Sequence, residues 1–109
     1  MPQADYAHDG TYVDYTPGAA VAAGDVVVLA ELVGVANSAI AANALGALCI
    51  AGVFDFNKAT GVTYAYGILL YWDDTNNVVT TTVGSNKLIG KCIRAALTGD
   101  TKARVAMSQ

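Results

Sequence analysis

Glycine recurs about every ten residues along this chain, and strand-forming residues fill the intervals, the pattern of an all-β domain built from short strands. β-Branched and aromatic residues suit a pleated, half-buried surface, and glycine supplies the backbone conformations that tight turns require. Few other folds accommodate such frequent interruption.

Thr11 to Thr16 reads as a first strand, closed by the turn pair Pro17-Gly18. Gly24-Asp25 opens a second, Val26 to Leu29, whose unbroken apolar run predicts burial on both faces. Leu32 to Ala36 follows after a tight connection at Ala30-Glu31. The Ala-rich stretch Asn37 to Leu45 fits one or two helical turns, with Ser38 as N-cap and Gly46 as stop. Leu48 to Phe56 alternates, with Leu48, Ile50, Phe54 and Phe56 on one face and Cys49, Ala51, Val53 and Asp55 on the other. Gly52 within that run marks a bulge or bend. Leu69 to Trp72 and Val78 to Thr82 pair about Asp73-Asp74-Thr75-Asn76-Asn77. Leu88 to Ala95 and Lys102 to Met107 pair through Thr98-Gly99-Asp100. The expected fold is all-β, a small barrel or sandwich of about eight short strands with at most one short helix. Residues 1–10 read as an extended polar arm and 11–109 as a single β domain.

An internal echo runs through this pattern. Gly24-Asp25-Val26-Val27-Val28 leads to Leu32-Val33-Gly34-Val35-Ala36, and Gly67-Ile68-Leu69-Leu70-Tyr71 leads to Leu88-Ile89-Gly90-Lys91-Cys92. In each, a glycine opens a strand and the partner strand carries a glycine where backbones approach closely. Two similar β units folded face to face suit a small barrel or sandwich, although shared β grammar also generates such an echo.

Hydrophobic residues make up 54% of the 109 residues and charged ones 14%, against roughly 25% charged in ordinary domains. A surface so poor in charge favours an oligomer or a permanent partner. No run approaches the ~20 apolar residues of a spanning helix, so no membrane partner is expected. The N-terminus lacks the basic and apolar regions of a signal peptide, which predicts a soluble protein made in the cytoplasm. The net charge is −3, and the six basic residues concentrate towards the C-terminal end. Alternation puts Lys102 and Arg104 on one strand face as a small basic patch, less than a nucleic-acid footprint. Cys49 and Cys92 each lie in an apolar run and read as buried thiols rather than a disulfide.

Residues arranged for chemistry are few. Asp73-Asp74-Thr75-Asn76-Asn77 has ligand-capable side chains, but adjacent rather than alternate and without a closing Glu, so a turn is favoured over a calcium loop. Asp55 could form a carboxylate pair only with an Asp from another strand. His8, the only histidine, sits in the arm, and neither cysteine has an evident base. No catalytic, cofactor or metal site is expected. The aromatics are more suggestive, since rings with a polar tip suit surfaces that are half buried and half wet. Tyr6, His8, Tyr12, Tyr64, Tyr66 and Trp72 are the candidates for a partner interface. Tyr71 and Trp72 point to opposite faces of one strand, so one of them belongs to the core.

Several of these pieces, in this order and spacing, resemble a family of short phage and prophage proteins, long known as a domain of unknown function and assigned as capsid cement or head-decoration proteins. They are Gly24-Asp25-Val26-Val27, Leu32-Val33-Gly34-Val35-Ala36, Gly52-Val53-Phe54 with Lys58-Ala59-Thr60-Gly61, and Gly67 to Leu70 running into Tyr71-Trp72-Asp73. Leu88-Ile89-Gly90-Lys91-Cys92 and Leu97-Thr98-Gly99-Asp100-Thr101 complete the set. The resemblance covers roughly residues 10 to 107; Ile68 stands where the family often has Asp, and the polar head is longer. It implies a β-rich, non-enzymatic virion protein that docks on the outside of an icosahedral head and ties major-capsid subunits together. By analogy with other head-decoration proteins it implies a homo-oligomer, trimer favoured over dimer, synthesised in the host bacterial cytoplasm. An arm such as residues 1–10 is suited to adding a strand to a neighbour's sheet edge. The alternative is a small β-barrel binding module of the virion, tail-stabilising or glycan-binding, with Trp72 and the tyrosines as its platform.

Overall fold

The computed structural model describes Gln3 and residues 10–109, so the arm expected over residues 1–10, with Tyr6 and His8, lies almost wholly outside the described residues. Nine strands and no helix are present among the described residues: β1 (Tyr12–Tyr15), β2 (Val26–Leu29), β3 (Leu32–Val35), β4 (Gly46–Cys49), β5 (Gly52–Asn57), β6 (Leu69–Asp73), β7 (Val78–Thr80), β8 (Lys87–Cys92) and β9 (Lys102–Met107). They form two antiparallel sheets, ordered β1-β4-β3-β2 and β5-β9-β8-β6-β7. All-β is therefore the fold class.

The two sheets repeat one plan. Reading β5, β6, β8 and β9 as counterparts of β1, β2, β3 and β4, both have the same order, and β7 is an addition at the edge of the second. The internal echo in the sequence maps onto this plan bond by bond. Gly24 (φ 90°) donates to the Ala36 carbonyl at 2.6 Å, and Gly67 (φ 91°) donates to that of Cys92 at 2.6 Å. Ala36 donates back to Asp25 at 2.9 Å, and Cys92 to Ile68 at 2.9 Å. Beyond each turn lies an isolated antiparallel bridge, Val21 to Ile40 in one unit and Tyr64 to Ala96 in the other. Gly34 stands opposite Val27 and Gly90 opposite Leu70, and each glycine lets a third strand come close: the Leu48 side chain at Gly34 and the Ala106 carbonyl at Gly90. The conformation with φ near +90° favours glycine over any side chain, so the same residue opens both units.

Closure differs. A single parallel bridge from Lys58 to Val79 links the far edges of the second sheet, which curls toward a barrel. One apolar cluster fills it: Phe56, Tyr64, Leu70, Trp72, Ile89, Cys92, Ala103 and Val105, joined by Val33 and Val35 from one face of the first sheet. The other face of the first sheet holds a smaller cluster of Ala36, Ile40 and Leu48, flanked by the half-buried Val13, Tyr15, Val21, Val27 and Leu29.

Three expectations change. Asn37 to Leu45 forms no helix: Ile40 exchanges backbone hydrogen bonds with Val21, and Asn43 takes a positive φ of 62°, so the segment is extended and then turned. Leu48 to Phe56 is two strands, because Gly52 (φ 114°) redirects the chain from one sheet to the other. β2 is half-buried along its whole length rather than covered on both faces, since it is an edge strand.

Candidate partner interface

The polar groups that most resemble functional ones are occupied by local structure. Asp73 accepts the Thr75 and Asn76 backbone N–H groups at 3.0 and 3.2 Å and the Asn76 side-chain amide at 2.8 Å. The Asn76 side-chain bond, followed by the backbone bonds, holds the Asp73 carboxyl below its ordinary pKa, as expected of a turn acceptor. Asp55 meets Arg104 across β5 and β9, not another carboxylate; Nε and Nη2 donate to its two oxygens at 3.0 and 3.2 Å. That bond, chiefly, lowers the Asp55 pKa, helped by the charges of Arg104, Arg94 and Lys102. Both cysteines are free and buried, their thiols donating to the carbonyls of Ala51 and Arg94.

Lys58 is the one buried charged side chain among the described residues. Its Nζ donates to the carbonyls of Ala59, Leu97 and Asp100 at 2.9, 3.0 and 3.1 Å, which uses all three of its protons. The same ammonium lies 5.8 Å from the Tyr64 ring centroid. The Lys58-Ala59-Thr60-Gly61 segment is thus a brace between two loops, a role that residue order does not reveal.

The candidate interface residues separate sharply. Tyr66 is 72% exposed and Tyr12 48%, with the Tyr12 hydroxyl accepting from the Asn37 side chain at 3.2 Å. Tyr64 and Trp72 are core, at 6% and 4% exposure, and this corrects their placement at a surface. The Tyr64 hydroxyl donates to the Val79 carbonyl at 2.8 Å, and burial, more than the nearby Cys92 thiol, pushes its pKa up. Trp72 packs its ring 5.9 Å from Phe56 and donates Nε1–H to Asp74 at 3.0 Å. Each polar tip thus finds a partner inside the fold, so neither ring needs the surface to satisfy it. Tyr71 is the half-buried member of its pair with Trp72. Asp25, Asn57, Trp72 and Asn77 are among the residues that line a cleft of about 450 Å³. The Asp25 carboxylate there already accepts the Ala22 N–H at 3.0 Å.

Leu45, Val53, Val62, Leu69, Val83 and Leu97 are exposed apolar side chains outside the aromatic set. Val53 and Leu69 share the outer face of the second sheet, in a cross-strand row Val53-Ala106-Lys91-Leu69. Asp55-Arg104 and Asn57-Lys102 are the next pairs across β5 and β9 on that face. Alternation in Lys102 to Met107 aligns Lys102 with Arg104; sheet register adds the rest.

No curated protein and no solved structure gives a significant match to the chain. A family model described as phage cement protein matches residues 7–107. The match spans both sheets, every turn that repeats between them and the outer face just described, and by it the chain belongs to the phage cement protein family.

Proposed function

We propose that this chain decorates the outer surface of an icosahedral phage head and stabilises the major-capsid lattice, acting as a structural component and not as a catalyst. The observation that carries the reading is the family match over residues 7–107. The polar inventory supports it: Asp55, Asp73, Asp25 and Lys58 each serve the fold's own hydrogen bonding. The surface supports it too, because Leu45, Val53, Leu69 and Leu97 stand exposed on a chain with few charges, and such side chains suit a contact with protein.

A standard interface buries about 800 Å² per partner, and a homo-oligomer multiplies weak single contacts through effective concentration. The oligomer favoured is a trimer. Any component that binds the assembled lattice but not its dissociated parts shifts the equilibrium toward the lattice. A glycan platform would lack Trp72, whose ring is interior, and would rest on the exposed Tyr12 and Tyr66 alone.

The test mixes the purified protein with expanded, undecorated heads of the phage that encodes it, followed by imaging and thermal disruption of the particles. Symmetric added density and a raised disruption temperature are expected. Heads that stay bare at saturating protein would overturn the reading.

A further inference from the structure

Charge is unevenly distributed over this molecule. Lys91, Lys102 and Arg104 project from the outer face of the second sheet, with Lys91 opposite Ala106 and the other two on β9. Arg94, just past β8, lies near enough that its charge also depresses the Asp55 pKa. These are four of the six cations of the chain, and Asp55 is the one carboxylate paired with them among the described residues. Set against Asp55 and against Asp73, which alternation along β6 places on the side of Leu69, these cations still leave the face net positive, on a chain whose total is −3. The same face carries Val53 at 55% and Leu69 at 46% exposure, together with the methyl of Ala106.

We propose that this face, centred on the row Val53-Ala106-Lys91-Leu69, is the one that seats on the capsid, and that its partner is an acidic protein surface with apolar side chains between its carboxylates. The inference rests on the decorating role proposed above and names the face and the partner's chemistry. Charge complementarity selects the partner. A second copy of this chain would bring the same positive face if the two met symmetrically, and like charges facing each other oppose association. A nucleic acid would gain little, because four cations neutralise at most about four phosphates, and the exposed valine and leucine have no role against a phosphate backbone. An acidic protein surface uses both features. Its carboxylates meet Lys91, Arg94, Lys102 and the outer edge of Arg104, and the apolar row excludes water between them. The Asp55–Arg104 pair holds the guanidinium across the strands, so that the face is fixed before contact.

The experiment measures binding of full-length protein to undecorated heads for the wild type, for Lys91→Glu with Arg94→Glu, and for Lys87→Glu as a control. Lys87 pairs with the exposed Glu31 at 2.9 Å, away from this face. The double reversal is expected to weaken binding at least about tenfold, with the control within about twofold of wild type. Wild-type affinity should fall several-fold as salt rises from about 0.05 to 0.5 M, as the Debye length shortens. Unchanged unfolding midpoints certify that the variants are folded. Wild-type binding that survives the double reversal, or that ignores salt, overturns this inference and leaves the decorating role intact. Heads that never bind the wild type overturn the decorating role and this inference with it. Charge-sensitive binding to a short DNA duplex in place of heads would assign the face to nucleic acid and overturn the proposal.

Discussion

The first and second sheets are built to one strand order, yet the second is closed and the first is open. In the second, β7 extends the edge of β6 and the Lys58–Val79 bridge draws that edge toward β5. In the first, the counterpart edge β2 has no further strand, and its Val27 and Leu29 are half-buried where Leu70 and Trp72 are fully covered. The large interior side chains follow closure: Phe56, Tyr64 and Trp72 fill the second unit, while Ile40 and Leu48 suffice for the first. Matching backbone plans therefore do not imply matching cores. The first unit contributes Val33 and Val35 to the core of the second, so its stability depends on its neighbour more than on its own smaller cluster.

The largest expected effect tests the two close approaches. A Cβ on Gly90 would run into the Ala106 carbonyl, whereas one on Gly34 would meet the Leu48 side chain, with its Cβ at 2.8 Å. Backbone yields less than a side chain, so Gly90→Ala should cost about 3 kcal/mol or more and Gly34→Ala about 1–3 kcal/mol. Chemical denaturation of both variants gives the ranking, and equal costs would break the distinction between the units. Effects in the core are of the same size as that at Gly90. Trp72→Ala should cost about 3–5 kcal/mol. Its half-buried counterpart Leu29→Ala should cost about 1 kcal/mol, near half the value of full burial. A larger loss at Leu29 would show that the first sheet carries the stability.

Much of this plan is legible in the residues. Turns are local, so Gly24, Gly67 and Asp73-Asp74-Thr75-Asn76-Asn77 announce themselves through residue type, and the echo of the two glycine-led hairpins is visible without coordinates. Facing is not local. Alternation says that Tyr71 and Trp72 diverge, but which ring is interior depends on the curl of a sheet whose closing strand lies elsewhere. Alternation likewise runs unbroken from Leu48 to Phe56, and Gly52 announces a bend there, but not that the bend transfers the chain between sheets. The three carbonyl partners of Lys58 come from two loops that only the fold brings together. The basic face follows the same rule, since Lys91 joins Arg104 through register across β8 and β9.

The smallest expected effect concerns the second sheet's outer face in acid. Arg104 lowers the Asp55 pKa from its ordinary 3.8, so the folded state binds this proton less readily than the unfolded chain. The stability it contributes is present above about pH 4 and is lost as pH falls through the depressed folded value. Solvent screens the pair, so the contribution is a fraction of 1 kcal/mol, on the order of other exposed ion pairs. In Arg104→Gln the Asp55 carboxyl should titrate closer to 3.8, as followed by its side-chain carboxyl carbon resonance in NMR. An unmoved titration would show that Arg94 and Lys102 dominate.

Strand order also sets a timetable for synthesis. Every ladder of the first sheet is drawn from the contiguous stretch 12–49, so its hydrogen bonding can be complete while later residues are still being added. The second sheet has no such freedom. β9 lies between β5 and β8, and until residues 102–107 emerge, β5 has no antiparallel partner among the strands of its own sheet. During that interval the inward-facing Val33 and Val35 of the first sheet lack the core they will join, and the newborn chain displays an apolar surface that the finished one conceals.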